Sequence, residues 1–584
     1  MKRYLALSIL FLSFIALHAQ VTVNSLLCEN RVNPVGVDAK SPRFNWQLQS
    51  DRPNVQQKAY EIHVAFSEAD LRRDKALVWN SGRVESGLSV AVLYGGPVLQ
   101  SVRNYYWQVR VWDASGKASS WSSVAQWQTG LYGQPWTAKW IEIGFQEDTV
   151  NRPSPLFRRT FKVGKKIAGA TLFATAHGLY EAFINGKKVG DAFLTPGFTS
   201  YNKRLQYQAY NVTGMLQQGP NAIGAMLGSG WYRGYLAWGG NKNSYGKTLG
   251  LLAQLVIRYT DGSTETVATD EQWKSATGAI LSSEIYHGET IDARKMQRGW
   301  TDAGFNDGSW SGVQVKDYPF SQIIATENEL VKKHERFSPV RIFKTPEGDQ
   351  VIDFGQNLVG WVEVKATGKS GDHITIKHAE VLDKQGNFYT ENLRSAKQEN
   401  NYILSGNGEE SFEPHFTFQG FRYIKITGYP GEIKPENFTA VALYSDMPVT
   451  GSFATSNPLI NQLQHNIQWG QRGNFLDIPT DCPQRDERLG WTGDAQVFSR
   501  TASFNMGVDN FFAKWLKDVA ADQNPDGGVP FVVPNVLGAG AASSAGWADV
   551  STIIPWNMYL AYGNRSTLAN QYASMKAWVN YMRD

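Results

Sequence analysis

"DIPTDCPQRDERLGWTGD", residues 477–494, places seven charged side chains among two prolines, two glycines and one tryptophan. Pro479 and Pro483 prevent a preceding helix from running through the stretch, and Gly490 and Gly493 loosen the chain before Asp494, which is expected to cap a helix starting near Ala495. The charges therefore fall on a connection between two helices. Trp491, Pro479, Pro483 and Cys482 suit a rigid wall that keeps water from nearby carboxyls. Desolvation raises a carboxyl pKa and a neighbouring arginine lowers it. Opposed environments of this kind keep one carboxyl protonated while others stay ionised, as protonation of a glycosidic oxygen requires. The remaining carboxylates can accept hydrogen bonds from sugar hydroxyls, and an indole face can cover an apolar sugar face. The plainer alternative is a solvated loop in which Arg485 and Arg488 pair with Asp481, Asp486 and Glu487. Spacing alone does not say which carboxyl does what.

Outward from this loop the texture is helical from about residue 450. Ser456 or Asn457 can cap a helix with Pro458 in its first turn, and Leu459, Leu463 and Ile467 repeat at helical spacing. Further helical patterns cover "AQVFSRTASF", "NFFAKWLKDVAAD", "IPWNMYLAYG" and "STLANQYASMKAWVNYMRD". The last runs into Asp584 with no stop signal, which predicts an all-α domain that continues beyond it. Upstream the chain reads as β. From Val21 to about Gly130, "NYYWQVRVWDASG" and "VAQWQTG" alternate apolar and polar positions between turns, which predicts a fibronectin-like sandwich. Residues 131–334 carry turn signals such as "INGKKVGD" and "YTDGSTET" and read as a jelly roll, and residues 335–447 read as a further β-sandwich.

The first twenty residues, "MKRYLALSILFLSFIALHAQ", join Lys2 and Arg3 to an apolar run and have the pattern of a cleaved export signal, so the expected location is periplasmic or secreted. No later stretch is long and apolar enough to span a bilayer. The formal charge of +4 falls to +2 without Lys2 and Arg3, with 55 basic against 53 acidic residues, and no basic run suggests nucleic acid as a partner. Two cysteines in 584 residues exclude a disulfide scaffold and a cysteine-based zinc site. "HGET" at 287–290 offers one histidine and one nearby acid, which does not make a metal site.

"DCPQRDERLGWTGDAQ", preceded by "GNFLDIPT" and followed by "GWADVSTIIPWNMYLAYGN", resembles the α-L-rhamnosidases of glycoside hydrolase family 78. The resemblance extends through "NPVGVDAKSPRFNWQL", "IYHGETIDAR", "VIDFGQNLVGWV" and "FTFQGFRYIKITG", and so covers the whole chain after the signal. It implies inverting hydrolysis of terminal α-L-rhamnose, from glycosides or polysaccharides, in an (α/α)6 barrel preceded by β domains. It makes Glu487 the general acid, Asp481 and Asp494 the carboxylates that hold rhamnose hydroxyls, Trp491 a wall for the 6-methyl group, and Arg485 an orienting residue of the loop. Trp547 and Asp549 match further pocket residues, for which a core tryptophan and a helix cap are the alternatives; Trp556 reads as packing. No cofactor is required. The family's second β module binds rhamnose with calcium in some members, but the match reaches no identifiable calcium site.

Such an enzyme needs a base roughly 6.5–9.5 Å from the acid. In the family it comes from later in the barrel. About five helices are legible where the barrel needs twelve, so the base is expected beyond Asp584 and no residue is assigned to it. A non-catalytic rhamnose-binding protein, a glycosidase of the same barrel class acting on another sugar, and a surface adhesion module are the competing functions.

Overall fold

The computed structural model describes residues 21–584, so the expected export signal lies outside the described residues. The chain divides into two compact units, one ending at Thr129 and one running from Gly130 to Asp584.

The first unit is a sandwich of a three-stranded and a six-stranded sheet. Its longest strand, Asn104–Asp113, turns Tyr105, Trp107, Val109 and Val111 inward by simple alternation. The core is aromatic: Phe44 stacks on Trp107 with ring centroids 4.3 Å apart, and Tyr105 stacks on Trp127 at 4.9 Å.

In the second unit, a seven-stranded and a five-stranded sheet enclose a core that includes Phe157, Leu172, Leu227, Leu255 and Trp273. A ten-stranded sheet follows, organised around the 18-residue strand Gln350–Thr367. That strand bends where Gly355 takes φ 77°, and at Gly360 a Cβ would lie 1.9 Å from Val441 O, so only glycine lets the neighbouring strand approach. The hairpin formed by Ile280–Glu284 and Gly288–Asp292 belongs to this sheet, pairing in parallel with Glu399–Ile403. Its tip, with Tyr286 and His287, points towards the helical segment.

Five helices complete the unit: α1 (Pro458–Asn474), α2 (Thr492–Asn505), α3 (Asp509–Asp522), α4 (Val550–Tyr562) and α5 (Arg565–Arg583). They are part of a barrel, as expected. Asn457 caps α1 by accepting from Leu459 N–H, with Pro458 at the first helical position.

Leu459 and Leu463 lie on helix α1, as their spacing predicts, and are 77% and 54% exposed. Two expectations change. Helix α2 begins at Thr492 rather than near Ala495, so Asp494 lies within its first turn instead of capping it. Trp556 is 50% exposed and leans on Tyr559 rather than packing inward. Cys28 and Cys482 are both free and buried. Among the described residues no helix is long and apolar enough to cross a membrane.

Candidate active site

Between α1 and α2 the chain makes a two-residue-by-two-residue hairpin, Phe475–Leu476 against Ile478–Pro479, and then crosses the end of the helical segment as residues 480–491. This is no solvated loop. Asp486, Glu487 and Arg488 are all buried.

Each buried charge has its own solution. Among the described residues no carboxylate forms a salt bridge with Arg488; its guanidinium donates to Phe418 O at 2.7 Å, Gln484 O at 3.0 Å, Ile285 O at 3.1 Å, Arg485 O at 3.2 Å and Gln419 Oε1 at 3.4 Å. Burial lowers its pKa to about 10. Asp486 is held by Arg394 Nε at 2.6 Å and by Ser395 Oγ at 2.5 Å. Arg485 donates to Asp481 Oδ2 at 3.1 Å and to Cys482 Sγ at 3.0 Å, both within the loop.

Glu487 is only 2% exposed, and among the described residues no arginine hydrogen-bonds to it. Cys482 Sγ–H donates to its Oε2 at 2.7 Å and Trp491 Nε1–H donates to its Oε1. Burial raises the Glu487 pKa to about 8, helped by the hydrogen bond and negative charge of Asp481 and opposed by the Cys482 and Trp491 donors. The carboxyl therefore carries its proton at neutral pH. Burial also pushes the Cys482 thiol far up, so it stays a donor. At Asp494, partial burial and the Asp481 charge raise the pKa as well.

A cavity of about 650 Å³ opens beside these groups, lined among others by Gln471, Asn474, Thr480, Asp481, Asp494 and Trp547. Trp547 is 40% exposed and rests on Gly493, where a Cβ would lie 2.9 Å from the indole. Asp481, Asp494 and Trp547 thus meet at one cavity, with Glu487 and Trp491 packed behind Asp481. Asp549 does not line it: both oxygens are engaged, by Trp578 Nε1 at 2.9 Å and Gly546 N at 2.8 Å, so it anchors the loop that carries Trp547.

Asp481, Cys482 and Glu487 have ligand atoms within 4.8 Å of one another. The Arg485 guanidinium already donates to two of the three, Asp481 and Cys482.

Four family profiles match the chain: the Rha78A-like N-terminal immunoglobulin domain over residues 23–133, the α-L-rhamnosidase N-terminal domain over 165–335, the bacterial α-L-rhamnosidase concanavalin-like domain over 343–444, and the bacterial α-L-rhamnosidase 6 hairpin glycosidase domain over 448–584. The α-L-rhamnosidase of Streptomyces avermitilis is 34% identical, with 94% of this chain and 69% of that protein covered. The chain belongs to the bacterial α-L-rhamnosidase family. An α-L-rhamnosidase of Formosa agariphila is 40% identical over 95% of this chain and 61% of its own length. The structure of the Aspergillus terreus α-L-rhamnosidase superimposes with a TM-score of 0.92 at 38% identity, covering 96% of this chain and 65% of that one. The chain thus spans about three fifths to two thirds of the α-L-rhamnosidases it matches.

Proposed function

We propose that the protein hydrolyses terminal α-L-rhamnosides by inversion, with Glu487 as general acid. The observation that carries this is a protonated, desolvated carboxyl at about pKa 8, backed against a carboxylate that lines a sugar-sized cavity. As the bond between C1 and the glycosidic oxygen breaks, its electron pair goes to the oxygen, which takes the Glu487 proton. Water adds to C1 from the opposite face and gives its proton to a base to which no residue of this chain is assigned. Asp481 and Asp494 accept hydrogen bonds from ring hydroxyls, and Trp547 covers an apolar sugar face. Trp491, with its indole N–H on Glu487, orients the acid; it does not line the cavity, so the wall for the 6-methyl group expected of it falls to other residues. Membership of the family and the charge balance support a rhamnose-terminated glycoside or polysaccharide as substrate, and the N-terminal segment supports export.

The test uses Glu487→Gln, in this chain and in a form extended to the length of its relatives. With a natural rhamnoside, whose leaving oxygen needs a proton, kcat should fall by about 10²–10⁴-fold. With an aryl rhamnoside the loss should be much smaller, and rhamnose should still bind. Equal rates for mutant and wild type on the natural substrate would overturn the assignment. Rhamnose binding without turnover in any form would favour the non-catalytic sugar-binding reading.

A further inference from the structure

Glu487 takes φ 133° and Arg488 takes φ 44°, a pair of conformations that side-chain-bearing residues avoid. Such a backbone persists only where its surroundings over-determine it. Cys482 and Trp491 hold the carboxyl end of Glu487, but they say nothing about its peptide. The peptide is held from 201 residues away: Tyr286 Oη–H donates to Glu487 O.

Tyr286 is itself fixed on every side. It sits at the tip of the 280–292 hairpin, with Gln398 N–H on its own carbonyl at 3.1 Å and Glu399 N–H on the His287 carbonyl at 3.0 Å. Its hydroxyl accepts from Ala237 N–H at 3.0 Å, which leaves the hydroxyl proton to point at Glu487. The Arg488 guanidinium lies 5.1 Å from its ring centroid and donates to Ile285 O, the residue before it in the hairpin. Burial keeps the phenol from ionising, so the donor persists through the working pH range.

From this we infer that Tyr286 is a positioning residue for the general acid: its hydroxyl pins the 487–488 peptide and so aims the Glu487 carboxyl at the leaving oxygen. The β-sheet hairpin is then part of the catalytic apparatus although it touches no substrate. The inference rests on Glu487 being the acid.

A residue that aims the acid matters in proportion to how much the leaving group needs the proton. Tyr286→Phe deletes one oxygen and keeps the ring against Arg488. Expected is a fall in kcat of about 10-fold or more on an alkyl rhamnoside, with KM within about twofold and the p-nitrophenyl rhamnoside rate within about twofold. Retained aryl activity also reports that the variant is folded. Equal losses on both substrates, or no loss on either, would overturn the inference. Should Tyr286→Phe fail to fold, 3-fluorotyrosine at position 286 keeps the ring and strengthens the donor. It must then shift the alkyl rate and spare the aryl rate, and no selective shift counts against the inference. Glu487→Gln is assayed in parallel: if it lacks the same dependence on leaving group, the acid assignment has failed and the inference falls with it. If Glu487→Gln shows it and Tyr286→Phe does not, only the role of Tyr286 is lost.

Discussion

A carboxyl that keeps its proton at pH 7 needs dry surroundings and a negative neighbour, and Glu487 has both. As the proposed general acid, Glu487 acts while protonated, so kcat/KM should fall as pH rises through about 8. Asp481→Asn removes the neighbour's charge and leaves the burial. The Glu487 pKa then drops but stays above its ordinary value of 4.5, and the alkaline limb moves to lower pH. Asp481 also lines the cavity, so KM should rise as well, but the position of the limb is the readout. An unmoved limb in a pH profile of kcat/KM would refute the coupling. The opposed environments were legible in the sequence because Trp491, Pro479 and Cys482 stand beside the carboxyls. The partners of Arg488 were not. They are carbonyls at 484 and 485 in the loop itself, carbonyls at 285 and 418 and an amide at 419, and spacing within one loop reveals nothing of partners 69 to 203 positions away.

Helix α3 was read from Phe511, Phe512, Trp515, Leu516 and Val519, and all five are buried. Its polar side is buried too, which periodicity could not reveal, because a helix pattern distinguishes faces but does not name what meets the polar one. Lys514, fully enclosed, donates to Phe198 O at 2.5 Å, Asp477 Oδ2 at 2.7 Å and Asp477 O at 3.0 Å, while Arg204 reaches Asp518 at 2.9 Å. Asp477 in turn accepts from Phe198 N–H and from Asn328 Nδ2, so one buried ion pair ties the helices to the β region. Burial and the loss of the Lys514 cation would leave Asp477 an uncompensated charge in Lys514→Met. The expected cost is about 3–5 kcal/mol in denaturant unfolding, of which most should return in the double variant Asp477→Asn, Lys514→Met. A loss below about 1 kcal/mol would mean that the pair is no anchor.

At the scale of the whole molecule, turn signals and strand texture located the β regions and the change to helix near residue 450, because these are local properties of the chain. Sheet membership is not local. The 280–292 hairpin joins the sheet of a later segment through parallel pairing with 399–403, and nothing in either stretch announces the other. One consequence is that sequence regions and cooperative units differ in number. Gly130–Asp584 forms one compact unit, in which one hydrophobic cluster runs from Ala138 through Trp361 and Phe416 to Trp578 and a second, around Phe157, Leu172 and Trp273, lies between the seven- and five-stranded sheets. Residues 21–129 instead enclose their own core around Phe44, Trp46, Trp107 and Trp127. Calorimetry should therefore resolve two transitions and not one for each of the four regions read from the sequence. Trp107→Ala opens a cavity in the first core alone, at a cost of about 3–5 kcal/mol. It should lower one transition by several degrees and leave the larger in place. Movement of both together would mean that the chain unfolds as a single unit.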